Sequence, residues 1–360
     1  MRPGARLNLS GRAWRRLRED YADQGIPPLR DLQARLLGAW LTGLERMAYG
    51  TPSSLAGPPE VIFIIGHWRS GTTFLHELLC SSPGFNFPST YACMNPQVFP
   101  LTEAAVLRRS GQKSIARPMD DMPVSLASPQ EDEFALLALG ARSPYEGFLF
   151  PGALDRGMAA ADPEDLPAGD RQDWIRVFGR FLDQVAARKP GLPVVLKSPT
   201  HSYRVKLLAR LHPGARFVHI VRNPYAVYRS TVSMWQKLCA LYTLGGRPDE
   251  GALARQVISN WNLLEEKLEA ALRGLGEDRY VRVRYEDLTA QPAQALEKIY
   301  AGLSLGGFGD ALPCLTKHLA GRAPWVNAGS GLAPENASAV YRAWRHIFEK
   351  YDYPEATSPA

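Results

Sequence analysis

The run Val61-Ile62-Phe63-Ile64-Ile65 constrains this chain more than any other stretch. Five consecutive β-branched or aromatic residues with no polar alternation fit a strand buried on both faces, inside a parallel sheet. The run passes straight into Gly66-His67-Trp68-Arg69-Ser70-Gly71-Thr72-Thr73 and then into Phe74, Leu75, Leu78 and Leu79 at helical spacing, with Pro83 as the stop. Strand, glycine-bounded loop and helix in that order make a cradle for an anion, because loop amides and a helix N-terminus converge on one point. Gly66 and Gly71 permit the backbone conformations that bring amides close to a ligand. Ser70, Thr72 and Thr73 add hydroxyl donors. The Gly-x4-Gly frame is that of a nucleotide triphosphate loop, but Thr72 stands where such a loop carries its lysine. The cation is Arg69 instead, a planar fork suited to an oxyanion. No aspartate ends an apolar strand in a magnesium-binding context. The loop therefore suits an anion of lower charge, held without metal.

Further along, strands at 192–200, 215–224 and 279–288 alternate with helices at 174–189, 203–213, 224–238, 252–273, 292–303 and 335–350. That alternation implies an α/β fold of three layers, P-loop-like, with a central parallel sheet flanked by helices. Ligands of such sheets sit at the carboxyl ends of the strands, where the loop at 66–73, Lys197-Ser198, Arg222 and Asp287 all fall. We read residues 1–360 as one domain, with an N-terminal helical extension (1–58), a core (61–305) and a C-terminal loop and helix (306–360). Residues 11–49 read as two helices broken near Gly25–Pro28, and 51–59 as a connector. A helical and irregular insertion at 84–170 includes a helix from Pro129 to about Gly140 and a loop-like stretch at 151–170.

With 45% apolar residues and 22% charged ones, the chain can bury a substantial core. A net charge of +6 favours anionic partners, yet no long basic run or aromatic-interleaved basic stripe points to nucleic acid. The cysteines at 80, 93, 239 and 314 show no zinc spacing. The N-terminal segment has no apolar signal region, and 36–44 is too short to span a bilayer. A soluble cytoplasmic protein is the expectation. The basic N-terminal segment with Trp14 is either a peripheral membrane contact or a helix packed on the domain.

Two motifs carry a family resemblance. Trp68-Arg69-Ser70-Gly71-Thr72-Thr73-Phe74 resembles the 5′-phosphosulfate loop of the sulfotransferases, usually written PKSGTTW, with Arg69 for its lysine and Phe74 for its adenine-stacking aromatic. His219–Trp235 resembles the family's 3′-phosphate site, with Arg222 ending a strand and Ser230 eight residues on. Residues 283–300 are similar to the family's Tyr-Glu-Asp strand and following helix, where Asp287 reads as a helix cap. A C-terminal nucleotide clamp has only GRAPWVN (321–327) as a candidate.

The resemblance implies sulfonate transfer from 3′-phosphoadenosine 5′-phosphosulfate (PAPS) to a hydroxyl or amine, with no metal. The donor would be held by Gly66, His67, Trp68, Arg69, Ser70, Gly71, Thr72, Thr73, Phe74, Arg222 and Ser230. Such a transfer needs a base and cations on the sulfonate and bridging oxygens. The cations are Arg69 and Lys197. His201 lies two positions from where cytosolic members carry their base. Related bacterial members show an acidic helix start, here Glu131-Asp132-Glu133, which makes Glu133 the first candidate base and Glu131 the second; His67 is a third. Ser128-Pro129-Gln130-Glu131 also fits a capping box, a purely structural role. The Met, Phe and Tyr content of 84–170 suggests a lipid or small-metabolite acceptor. The rival readings are a P-loop kinase or NTPase and a non-catalytic module binding anions or nucleic acid.

Overall fold

The computed structural model describes residues 8–48, 57–110, 113–117, 122–246, 249–320, 332 and 334–355. Helices α1 (Gly11–Asp20) and α2 (Pro28–Ala48) precede strand β1 (Val61–Ile65). Then come α3 (Thr72–Cys80), α4 (Thr90–Met94), α5 (Phe99–Ser110) and a small hairpin of β2 (Ser114–Ala116) and β3 (Pro123–Ser125). Helices α6 (Glu133–Leu139), α7 (Glu146–Leu149), α8 (Leu154–Met158) and α9 (Ala168–Ala186) lead to β4 (Val194–Lys197). The second half runs α10 (Val205–Leu211), β5 (Arg216–Val221), α11 (Pro224–Tyr242), α12 (Glu250–Leu272) and β6 (Tyr280–Arg284). It closes with α13 (Tyr285–Ala290), α14 (Pro292–Gly302), α15 (Phe308–Ala320) and α16 (Pro334–Lys350). The chain divides into two units.

One unit comprises Val61–Phe85, Lys197–Ser233 and Ala254–Ala360. Three of its strands stand side by side in the order β1-β5-β6, every pair parallel. All five residues of β1 are buried, as a strand covered on both faces requires. The register sets Ile65 against His219 and Val221 against Arg284. The residues that follow these strands, Gly66, Arg222 and Tyr285, therefore leave the same edge of the sheet. Helix α16 is tied to α12: Trp344 Nε1 donates to Ile258 O at 3.1 Å, and Tyr351 OH and Lys350 Nζ reach the buried Glu265 carboxylate at 2.7 and 2.9 Å. The predicted helices at 252–273, 292–303 and 335–350 stand; α13 and α15 are additional.

The other unit comprises Met1–Glu60, Asn86–Leu196 and Met234–Leu253. Helices α1 and α2 meet through glycine: a Cβ on Gly38 would lie 3.0 Å from Gly11 Cα, and Gly11 N donates to Thr42 Oγ1 at 3.0 Å. Trp14 is buried between them, its Nε1 bonded to Asp31 Oδ1 at 2.9 Å, so it is a packing residue and not a membrane contact. Helix α9 buries Trp174, Val177, Phe178, Phe181, Leu182 and Val185 on one face, the amphipathic pattern of its sequence.

Three expectations are corrected here. The helix placed at 129–140 starts at Glu133, because Ser128 Oγ accepts the Ser125 amide (3.0 Å) and serves a turn in place of a capping box. It ends as expected at Gly140, whose φ of +96° suits glycine. The stretch 151–170 is not a loop but short helical turns, partly buried, leading into α9, with Asp162 capping Glu164 N and Gly157 packed where a Cβ would lie 2.6 Å from Gly147 N. Asp287 caps nothing ahead of residue 292; it lies in the first turn of α13. The candidate clamp at 321–327 lies outside the described residues.

His219 on β5 is buried, with Nδ1 2.8 Å from Tyr280 OH. Burial, reinforced by the Arg282 and Lys350 charges, pushes it down to about 3. The unfolded chain has an ordinary imidazole near pH 6.5, so it binds the extra proton as pH falls. The stability His219 contributes is complete above about pH 6.5 and is lost as pH drops toward 3. In urea unfolding across this window, His219→Gln is expected to flatten the pH slope by up to about 1.4 kcal/mol per pH unit.

Candidate active site

The loop after β1 is fixed by its carbonyl oxygens. Gly66 O accepts from Ser202 Oγ (3.2 Å), which itself accepts Gly66 N–H at 2.8 Å. His67 O accepts from Ser70 N (3.2 Å) and Ser70 Oγ (2.8 Å). Trp68 O accepts from Thr231 Oγ1 at 3.1 Å and Arg69 O from Arg222 Nη1 at 3.1 Å. Four consecutive carbonyls are thus tied to protein donors. An oxyanion site has to keep carbonyl dipoles off the ligand, and this backbone does so before any ligand arrives.

Both glycines are required by space as well as by torsion. Gly66 has φ +147°, and a Cβ there would lie 2.5 Å from Ile220 O. Gly71 has φ +105°, and its Cβ would lie 2.2 Å from Tyr285 Cδ2. Arg69 takes a left-handed φ of +65° without being glycine. Such a conformation costs roughly 1–2 kcal/mol, offset here by bonds at both ends of the residue. Gly71 is the N-cap of α3, and no side chain caps that helix, so its first amides offer partial positive charge toward the loop.

Several of the expected donor-site residues of this unit are linked by direct contacts. Arg69 Nε donates to Ser230 Oγ at 2.8 Å, joining the loop to the second motif. The Arg222 guanidinium lies 4.2 Å over the Tyr285 ring, whose edge fills the space beside Gly71. Burial lowers the Arg222 pKa and the nearby Arg69 charge pushes the same way, while Tyr285 and Glu286 oppose them. Arg222 bonds the Arg69 carbonyl while the Arg69 side chain bonds Ser230, so two cationic side chains belong to one linked loop, a composition suited to an anion. Lys197, last residue of β4, is buried and donates from Nζ to Thr73 Oγ1 at 3.2 Å. Ser70 and Thr72 are buried and Phe74 is half-buried on the first turn of α3.

Two histidines are turned elsewhere. The His67 ring stacks on Trp261 (4.8 Å) and meets Trp344 edge-on (6.3 Å). Its Nδ1 lies 3.0 Å from Trp68 O, and burial pushes it down to about 3. It braces the loop as a neutral ring. His201 is fully buried with its ring edge-to-face on Phe63 in the middle of β1. Both rings pack against aromatic side chains.

Glu131 and Glu133 belong to the other unit. Tyr145 OH donates to Glu131 Oε2. Phe134, Tyr145, Phe148 and Trp235 continue from it as a chain of ring contacts 5.0–5.4 Å apart. Glu133 opens α6 and is fully buried. Among the described residues no group of His, Cys, Asp and Glu is arranged to hold a metal.

Sequence reading missed Ser202, Thr231, Tyr285 and Glu286. Glu286 accepts Asn223 N–H (3.1 Å) on one oxygen and Tyr353 OH (2.7 Å) on the other. Asn223 Oδ1 in turn caps α11 at Tyr225 N, 3.0 Å. The Tyr-Glu-Asp run was noticed as a likeness, but its contacts lie in tertiary structure.

The comparisons agree on one relationship. Residues 59–308 match the model of the "Sulfotransferase family". An omega-hydroxy-beta-dihydromenaquinone-9 sulfotransferase of Mycobacterium bovis is 36% identical over 326 residues, spanning 89% of this chain and 81% of the relative. The crystal structure of sulfotransferase STF9 from Mycobacterium avium superposes with a TM-score of 0.74 at 18% identity, covering 97% of this chain and 94% of that one. Sulfotransferase STF1 from Mycobacterium tuberculosis gives 0.62 at 18% identity over 93% of each chain. These two likenesses establish the α/β fold with its central parallel sheet.

Gly66→Ala and Gly71→Ala are expected to destabilise the chain by roughly 2–4 kcal/mol each, from the disfavoured torsion plus overpacking. Gly84→Ala, where only Ser82 Oγ lies near at 3.5 Å, serves as the neutral comparison in thermal unfolding.

Proposed function

The chain belongs to the sulfotransferase family, and from that premise we propose that it moves a sulfonate from PAPS to a hydroxyl on a lipid acceptor. Membership makes it an enzyme and removes the kinase and non-catalytic readings. What supports PAPS as donor is one observation: Arg69 and Arg222, two cationic residues, are linked to each other and to Ser230 at the end of a loop whose carbonyls are tied back. The donor supplies an activated sulfonate on a phosphate leaving group. The α3 N-terminus, Thr73 and the loop hydroxyls would hold the 5′-phosphosulfate, with Phe74 against the base. Arg222 and Ser230 would hold the 3′-phosphate. Lys197, already bonded to Thr73 Oγ1, would lend positive charge to the bridging oxygen as the sulfur–oxygen bond breaks.

The acceptor oxygen must lose a proton as it bonds to sulfur. Glu133 is the base we assign first and Glu131 the second. Support for an apolar acceptor comes from the aromatic chain beside Glu131 and from the relative named for a menaquinone-derived substrate. The unit that carries the 84–170 insertion would select that acceptor, on the cytoplasmic side. No helix among the described residues is long and apolar enough to cross a membrane.

Incubation with sulfur-labelled PAPS and a lipid extract is expected to give a labelled product that partitions into organic solvent. Use of ATP–Mg²⁺ without use of PAPS would contradict the proposal. Glu133→Gln is expected to leave nucleotide binding intact and lower kcat about 100-fold or more; unchanged kcat moves the role to Glu131. Arg222→Ala is expected to weaken nucleotide binding at least about tenfold by calorimetry.

A further inference from the structure

Helix α2 carries apolar residues on its outer face. Leu32, Leu36, Trp40 and Met47 are 54%, 67%, 62% and 68% exposed. At about 100° per residue they fall within one arc of about 80°. The stripe runs roughly 22 Å along the helix at about 1.5 Å per residue. The opposite side is already used: Leu41 and Ala48 are buried, and Gly38 meets Gly11. A surface helix ordinarily has one apolar face, turned inward. Here a second one faces out, and four large apolar side chains in register are more than scattered exposure.

Charge identifies the occupant. Arg35 and Arg46 are exposed along one edge of the stripe, and no acid stands among the exposed positions of α2. The helix's two carboxylates, Asp31 and Glu45, are only partly exposed. Asp31 accepts from Trp14 Nε1 and pairs with Arg18 and, at 4.0 Å, with the still exposed Arg35, and Glu45 is half-buried among Arg12, Arg46, Arg176 and Arg180. A second copy docked on this face about a two-fold axis would set exposed arginines against each other with no exposed acid of α2 between them. A bilayer bearing anionic headgroups meets both halves of the surface. Its acyl boundary takes the leucines and Met47, its interface takes the Trp40 ring, and its phosphates take the arginines.

We infer that the outer face of α2 docks on an anionic membrane surface. The contact lies beyond the acceptor reading and stands without it, since it needs neither nucleotide nor turnover.

The test is sedimentation of the full chain with vesicles of phosphatidylcholine alone or with about one-third phosphatidylglycerol, in the absence of nucleotide. Binding is expected to be at least about tenfold tighter on the anionic vesicles and to weaken with salt. Leu36→Gln/Trp40→Gln is expected to cut binding by about tenfold or more on them. Arg35→Gln/Arg46→Gln is expected to cut it about tenfold on anionic vesicles and leave it unchanged on neutral ones. Both variants change exposed side chains, and an unaltered melting temperature checks their folding. No sedimentation, sedimentation indifferent to lipid charge or to both variants, or a dimer in analytical ultracentrifugation that Leu36→Gln/Trp40→Gln splits, would each overturn the inference.

Discussion

The site depends on where four carbonyl oxygens point. A tight loop of ordinary residues aims donors and acceptors in all directions, and an acceptor facing an oxyanion cancels the attraction of a donor beside it. Between Gly66 and Arg69 every carbonyl is taken by a protein donor: Ser202, Ser70, Thr231 and Arg222. The conformation is fixed in advance, so anion binding does not have to order the loop. It also explains the left-handed Arg69. That torsion lets the carbonyl reach Arg222 while the side chain reaches Ser230. One strained residue thereby joins the two motifs proposed to hold the donor.

The sheet supplies the rest. Parallel pairing of β1, β5 and β6 brings Gly66, Arg222 and Tyr285 to one edge. Tyr285 then fits against Gly71 and under Arg222, and Glu286 holds the Asn223 amide that starts α11. Behind the loop, His67 is clamped between Trp261 and Trp344, and Glu265 joins Trp261 to Tyr351 and Lys350. The C-terminal helix is thus part of the loop's support.

Much of this was legible from residues 61–80 alone. A five-residue apolar strand, two glycines at fixed spacing and a helix leave little freedom, and Arg222 with Ser230 gave a second fix. What stayed hidden shares one cause. Ser202, Thr231 and Tyr285 act through contacts with residues more than a hundred positions away, and a serine near a strand end looks the same whether or not it bonds a glycine amide. Where local signals competed, tertiary structure decided. Ser128 carried a capping pattern and went to a turn with Ser125. The Pro- and Gly-rich stretch at 151–170 read as loop, yet Gly157 is there to let α8 approach Gly147. His201 had the right neighbourhood in the sequence, but it faces Phe63.

The preformed loop and the Arg222–Ser230 pair are expected together to select an adenosine nucleotide that carries phosphate at both the 5′ and the 3′ positions. Calorimetric titration with 3′-phosphoadenosine 5′-phosphate and with adenosine 5′-phosphate, which lacks the 3′-phosphate, tests it most directly. Binding of the first is expected to be at least about 100-fold tighter, the worth of a charge-assisted pair of contacts, with no dependence on magnesium. Equal affinity for the two nucleotides, or binding that needs magnesium, would contradict it.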